Sequence, residues 1–172
     1  MDNRELAHKA RKGDAAAFEE LIKFCQEKLY RIAYSYVNNR DDALDIVSES
    51  VYRAYLNLRT LKNPSYFDTW IIRIVINQAI NFLNKNRRVM LKEDIGLNTG
   101  SRDAVKSDET IDLHAAMGKL DENQKTVIIL KYFEDLTITQ VAEVMERPVG
   151  TVKTYLHGAL KNLRLELREV FQ

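Results

Sequence analysis

Aromatic, carboxamide and cationic side chains recur at helical spacing between residues 66 and 88. A tryptophan can stack on an unpaired base, an asparagine can read base edges, and Arg or Lys can hold phosphates. The candidate contacts are Tyr66, Trp70, Arg73, Asn77, Asn81, Lys85 and Arg88. No acidic residue occurs from Ile71 to Met90, so this basic stretch favours nucleic acid as a partner. A solvated amphipathic face with a half-buried Trp is the alternative interpretation.

A second pattern predicts helix, tight turn and helix near the end of the chain. Thr137 and Gln140 form a capping box, and Pro148 suits the first turn of the next helix. That helix has a predicted buried stripe of Val149, Val152, Leu156, Leu160, Leu163 and Leu167. Its candidate contacts with duplex DNA are Gly150, Thr151, Lys153, Thr154, His157 and Lys161, with Gly158 on the same outer face. A helix-turn-helix places such a face in the major groove, whereas an ordinary αα-hairpin leaves it in solvent.

A third pattern is found in the helix predicted to start at Asp41 or Asp42. Its predicted inner stripe is Leu44, Val47, Val51, Ala54 and Leu58. The opposite face would expose apolar groups beside charges, a combination typical of a protein interface. The candidate interface residues are Asp45, Ile46, Glu49, Arg53 and Leu56. A solvated face is again the alternative.

Composition limits the other functions available. The chain has 172 residues, a net charge of +1 and a single cysteine, Cys25, which lies on an apolar stripe and is expected in the core. His8, His114 and His157 are scattered without metal-ligand spacing, so no catalytic residue, metal or cofactor is predicted. The polar start and the short apolar runs predict a cytoplasmic protein without a signal peptide or membrane span.

The elements that would position these residues are all helical. Helices are expected at 4–11, from Asp14 to about Asn38, from about 41 to 58, at 68–86, at 111–120, after Asp121 and through the helix-turn-helix, with Asp14 and Asp121 as N-caps. The residues of the 68–86 helix expected to face inward are Ile71, Ile72, Val75, Ile76, Ala79, Phe82 and Leu83. Between Leu91 and Thr110 the periodicity disappears among Gly, Ser and charges, which is typical of a linker. The sequence therefore predicts an all-α fold of two small domains, residues 1–90 and 111–172, joined by a flexible linker at 91–110.

Three stretches together resemble the extracytoplasmic-function sigma factors of bacteria. They are DALDIVSESVYRAY at 42–55, FDTWIIRIVINQAINFL at 67–83 and PVGTVKT at 148–154. The resemblance extends over nearly the whole chain, and its specificity comes from the three motifs occurring in this order. It implies an initiation factor and no enzymatic activity.

The resemblance also implies roles at matching positions. The 42–55 helix would bind the beta-prime clamp helices of the RNA polymerase core, which such factors also contact at the beta flap. The helix after Phe67 would open and read the minus-ten promoter element, and the helix after Pro148 would read the minus-thirty-five element. Such factors are commonly held inactive by an anti-sigma protein, often a membrane-anchored one, and no small-molecule substrate is implied.

Departures from the family pattern shift the expected contacts. Ser48 stands where Gln is frequent, and Tyr155 and Gly158 stand where Arg is common. Lys153, Thr154 and His157 would therefore carry more of the recognition. A stand-alone helix-turn-helix regulator would leave the Trp70 face without a role, and a helical protein-interaction adaptor would not explain the asparagines.

Overall fold

α-Helices account for most of the computed structural model, which describes residues 2–93 and 108–170. These residues contain no β-strand, so the all-α prediction is confirmed. The helices are α1 (Asn3–Arg11), α2 (Ala15–Val37), α3 (Arg40–Asn57), α4 (Phe67–Glu93), α5 (Asp108–Gly118), α6 (Glu122–Ile128), α7 (Ile138–Met145) and α8 (Val149–Val170). They form two compact units, one mainly of residues up to Lys85 and one mainly of residues from Asn86 on.

Side-chain caps define the helix boundaries of the first unit. The Asp14 carboxylate accepts a hydrogen bond from the Ala17 amide at 3.0 Å, as the sequence predicts. Asn38 ends α2 in the left-handed region at φ 52°, and the Asn39 carboxamide accepts from the Asp42 amide at 3.0 Å. The turn between α2 and α3 is therefore two residues long.

The core of the first unit lies among α1, α2, α3 and α4. Its fully buried larger side chains are Leu6, Leu21, Leu29, Ile32, Ile71 and Val75. Cys25 is also buried, as predicted. Since α2 packs against both α1 and α3, it is the central helix of this unit.

The predicted inner stripe of α3 is correct at Ala54 and Leu58, whereas earlier in the helix the buried face lies one residue before the predicted one. Ala43, Ile46, Ser50 and Ala54 are buried, whereas Leu44 is 45% exposed. The outward placement of Ile46 is therefore wrong, since it is 3% exposed. Small residues on this face allow α3 to approach α2 closely, and the Ser50 hydroxyl donates to the Ile46 carbonyl at 2.6 Å.

The second unit contains the predicted helix-turn-helix. The capping box is present: the Thr137 amide donates to Gln140 Oε1 at 2.9 Å, and the Gln140 amide donates to Thr137 Oγ1 at 3.2 Å. Glu146 adopts φ 51° in the turn, and the Pro148 carbonyl accepts from the Val152 amide at 3.1 Å to begin α8. Val141 and Val152 are almost completely buried in this core.

The predicted linker at 91–110 coincides only partly with described residues. α4 continues to Glu93, seven residues past the predicted end, and α5 begins at Asp108, three residues earlier than predicted. The remainder of the linker prediction, residues 94–107, lies outside the described residues. Among the helices that are described, none has the length and apolar character needed to cross a membrane.

Candidate nucleic-acid interfaces

The first candidate surface, the α4 polar face, consists of Trp70, Arg73, Asn77, Asn81, Lys85 and Arg88. Asn77, Asn81, Lys85 and Arg88 are exposed, whereas Trp70 and Arg73 are half-buried. The opposite side of the helix is buried, with Ile71, Val75 and Ala79 at 0% exposure. The predicted division of α4 into a core face and a polar face is therefore correct.

Trp70 is anchored on one side by the core. Its ring centroid lies 6.0 Å from that of Phe67, with the planes tilted by 45°. Phe67 in turn meets Phe18 edge to face, at 6.5 Å and 86°. Sequence reasoning missed this anchorage, although Phe67 and Trp70 are three residues apart and therefore neighbours on a helix.

The loop that carries Tyr66 is held by α1. Arg11 Nη1 donates to the carbonyls of Leu61 at 3.1 Å and Lys62 at 2.9 Å. The Tyr66 ring is 51% exposed at the start of α4, so it is available to a partner. Nothing in the sequence indicates the role of Arg11, because its partners lie about 50 residues away in the chain.

The second candidate surface, the α8 outer face, consists of Gly150, Thr151, Lys153, Thr154, His157 and Lys161. All are exposed except Thr151, which is half-buried. The Thr154 hydroxyl donates to the Gly150 carbonyl at 3.1 Å, one turn back in the same helix, and its oxygen can still accept a hydrogen bond. The residues predicted to contact duplex DNA therefore share one accessible side of the helix.

Two residues of α8 lie elsewhere than predicted. Gly158 lies against α6, because a Cβ added to it would come within 2.8 Å of Gln124 Nε2. Gln124 Oε1 also accepts from Asn162 Nδ2 at 3.1 Å, so this side of α8 is occupied by the unit's own structure. Val149, predicted in the buried stripe, is 37% exposed because it is the first residue of the helix and extends past the core.

The third candidate surface, the α3 outer face, is defined here as Leu44, Asp45, Glu49, Tyr52, Arg53 and Leu56. Glu49 and Arg53 form an ion pair one turn apart, with Nε and Oε1 at 2.5 Å. Leu44, Tyr52 and Leu56 are 45%, 59% and 59% exposed. Leu44 and Tyr52 were missed, and they replace Ile46 as apolar groups of this surface.

The described residues contain no group of three His, Cys, Asp or Glu side chains placed to hold a metal ion. Burial, together with the nearby Asp68 carboxylate, raises the pKa of the Cys25 thiol to about 12, so the thiolate nucleophile is scarce at neutral pH.

Comparison with known proteins identifies the family of this helical chain. Residues 21–89 match the family model "Sigma-70 region 2", and residues 110–163 match "Sigma-70, region 4". The RNA polymerase sigma factor SigV of Bacillus subtilis is 39% identical over 83% of this chain and 86% of its own length. The ECF RNA polymerase sigma factor SigW of the same organism is 30% identical over 93% of this chain and 94% of its own.

A solved structure shows the same fold. It is the sigma factor RpoE in complex with the anti-sigma factor NepR from Bartonella quintana, with a TM-score of 0.69 and 20% identity. The alignment covers 88% of this chain and 96% of that one.

The chain belongs to the sigma-70 family of RNA polymerase sigma factors, in its extracytoplasmic-function group. It directs promoter-specific initiation of transcription by bacterial RNA polymerase, and members of this family are initiation factors, not enzymes. A stand-alone regulator would need region 4 alone, whereas both regions are present here.

Proposed function

We propose a division of labour among the three surfaces. The α4 polar face melts and reads the minus-ten element, the α8 outer face reads the minus-thirty-five duplex, and the α3 outer face binds the polymerase core. The observation that carries the proposal is Trp70, half-buried against the Phe67 ring and on the same helix face as exposed Asn77 and Asn81. Because its partner is the polymerase, the chain would act in the cytoplasm.

Preference for separated strands follows from the chemistry of the α4 polar face. Duplex DNA hides the faces of its bases, so Trp70 gains little by stacking until the strands part. Trp70 to Arg88 extends along about 27 Å of helix, which places phosphate-binding cations beside base-reading carboxamides. A ligand shifts an equilibrium by its differential affinity, so a face that favours open DNA favours melting.

The proposal is tested by combining Trp70→Ala with Asn77→Ala. Loss of one stacking contact costs about 1–3 kcal/mol, so open complexes on a linear promoter should become scarce while polymerase binding persists. Permanganate reactivity of promoter thymines and run-off transcription measure this. A template with a pre-melted bubble should recover part of the activity.

Two controls keep the test specific. Arg87→Ala removes an exposed cation of α4 that is not part of the α4 polar face, and it should leave melting nearly unchanged. Circular dichroism must show wild-type helix content in the double variant, because Trp70 also packs on Phe67. Wild-type thymine reactivity in a folded double variant would refute the melting role.

The α3 outer face combines the requirements of a protein interface. Exposed Leu44, Tyr52 and Leu56 lie beside the Glu49–Arg53 pair, and a buried interface centre needs apolar anchors surrounded by charges. We assign the beta-prime clamp helices of the polymerase to it and the beta flap to the second unit, as the family resemblance implies. An anti-sigma protein, membrane-anchored in many members of the family, would compete for these surfaces. RpoE of Bartonella quintana was solved in complex with the anti-sigma factor NepR.

A further inference from the structure

Four aromatic rings form a continuous row from α3 to the α4 polar face. Tyr55 lies 5.3 Å from Phe18, Phe18 lies 6.5 Å from Phe67, and Phe67 lies 6.0 Å from Trp70. All three distances between centroids, and the tilts of 59°, 86° and 45°, lie in the range of favourable aromatic pairs.

Exposure changes along the row in a specific way. The inner rings are closed to solvent, with Phe18 at 6% and Phe67 at 2% exposure, whereas Tyr55 is 51% exposed and Trp70 is half-buried. Phe67 therefore cannot touch DNA itself. Its position as the first residue of α4 places its ring beside the indole of the residue three positions later.

We propose that Phe67, supported by Phe18, is a positioning residue that holds the Trp70 indole in the orientation from which it stacks on a promoter base. A tryptophan on an open helix face can occupy several staggered rotamers, and ordering it on binding costs affinity. A ring that already fixes the indole removes part of that cost. The inference rests on the proposed role of Trp70 in melting and adds the residue that prepares it.

Trp70 is the single tryptophan of the chain, so its fluorescence reports this site alone. Phe67→Leu keeps an apolar side chain but removes the ring. In the free protein it should raise the acrylamide quenching of Trp70 and lower its fluorescence anisotropy. With polymerase core on a linear promoter, thymine reactivity should fall roughly 2- to 10-fold, the effect expected for one aromatic pair. A pre-melted template should recover activity, and polymerase binding should be unchanged.

The matched control is Phe24→Leu. Phe24 belongs to α2, is 63% exposed and is part of no ring pair in the described residues, so this change should leave both readouts at wild-type values. Should Phe67→Leu fail to fold, Phe67→Met, which is also apolar and lacks the ring, is judged by the same criteria.

The outcomes separate this inference from the proposed function. If a folded variant without the Phe67 ring shows wild-type quenching and anisotropy of Trp70, the positioning role is wrong, even if the thermal unfolding temperature of the protein falls. Wild-type promoter opening by the Trp70→Ala variant, measured by thymine reactivity, would instead refute the role of Trp70 in DNA opening. The quenching measurement contains no DNA, so it decides the positioning question in either case.

Discussion

Two glycines of α8 differ in what a methyl group would meet. At Gly150 an added Cβ has no neighbour within 4 Å, whereas at Gly158 it comes within 2.8 Å of Gln124 Nε2. Both changes to Ala gain helix propensity, worth up to about 1 kcal/mol and less near a helix end. Gly158→Ala should also displace the Gln124 carboxamide and weaken its hydrogen bond to Asn162, which is worth about 0.5–1.5 kcal/mol.

We therefore expect Gly150→Ala to raise the free energy of unfolding by a few tenths of a kcal/mol to about 1 kcal/mol. Gly158→Ala should leave it unchanged or lower it. Urea unfolding followed by circular dichroism measures both variants. Equal stabilisation by the two changes would show that the contact between Gly158 and α6 is unimportant.

Cys25 makes stability depend on pH in the alkaline range. Its pKa is raised by burial to about 12 in the folded protein, while an exposed thiol loses its proton near pH 8.5. The unfolded chain therefore releases this proton first as the pH rises. The contribution of the thiol to the free energy of unfolding is intact below about pH 8.5 and decreases as pH rises toward about 12. Over that range the free energy of unfolding falls by up to about 1.4 kcal/mol per pH unit because of this one proton.

Comparison with Cys25→Ala isolates the contribution of this thiol, because every other ionisable group is the same in the two proteins. The variant should lose stability less steeply between about pH 9 and pH 11, as measured by urea unfolding at several pH values. Parallel stability curves for the two proteins would contradict a raised thiol pKa.

Residue-scale predictions from the sequence succeed where the partner is close in the chain. The caps at Asp14, Asp121 and Thr137 were predicted because each side chain bonds an amide within three residues. The environment of Gly158 and the role of Arg11 were not predictable, since their partners Gln124 and Leu61 lie on other elements.

Different turns of helix α8 are expected to read bases and to bind phosphates. Thr154 lies in the second turn of α8, where base contact is made, whereas Lys161 lies about two turns further on. Thr154→Ala should relax discrimination among minus-thirty-five sequences. Lys161→Ala should weaken all sites evenly and lower the slope of log affinity against log salt by about one.

Binding titrations over a panel of duplexes at several salt concentrations compare the two variants. Both side chains are exposed, so neither change should affect the fold. The assignment of base reading to Thr154 is wrong if its variant loses affinity evenly across the panel, as Lys161→Ala should.

The α3 helix provides a second comparison. Glu49→Arg places a cation within the α3 outer face and should weaken polymerase core binding by about 2 kcal/mol or more. Glu19→Arg is its matched control, because Glu19 and Lys23 also form an exposed pair one turn apart, at 2.7 Å. A pull-down with purified core measures the affinity of both variants. Equal affinities of Glu49→Arg and Glu19→Arg would show that Glu49 is not part of the interface.

Ile46 is a residue of the core and is tested by its effect on stability. Since it is 3% exposed, Ile46→Ala should cost about 2–5 kcal/mol of stability through a core cavity, without acting on the interface directly. The sequence could not decide this, because α3 carries two overlapping apolar stripes. Leu44, Val47 and Val51 are more hydrophobic, but Ala43 and Ser50 are smaller and allow closer packing of helices.

For the whole molecule, the sequence predicted the two-part organisation better than its boundaries. The apolar stripe of α4 ends near Leu83, and the predicted helix ended with it. The backbone remains helical to Glu93 because Arg87, Arg88 and Met90 are good helix formers and no Gly or Pro occurs between Leu83 and Gly96. Helix ends beyond the last core residue depend on weak propensities, so pattern reasoning places them poorly.

Apart from Arg88, the two proposed DNA-reading surfaces lie on different units of one chain, which predicts a gain from their covalent connection. When one unit is bound, the other is held near its own site at a high effective concentration, and such linkage raises overall affinity by about 10²–10⁴-fold. A specific protease site inserted within residues 94–107 allows the same protein to be compared intact and cut. Cutting should leave helix content unchanged, because each unit has its own buried core.

Promoter-directed transcription by the cut protein should then require at least about 100-fold more protein for half-maximal run-off product, and should recover at high concentration. The uncut insertion variant is the control for the insertion itself. Recovery matters because it separates a lost connection from a damaged unit, which no concentration restores. An unchanged midpoint after complete cutting would show that the polymerase core alone brings the two units to the promoter, and that the connection contributes nothing to affinity.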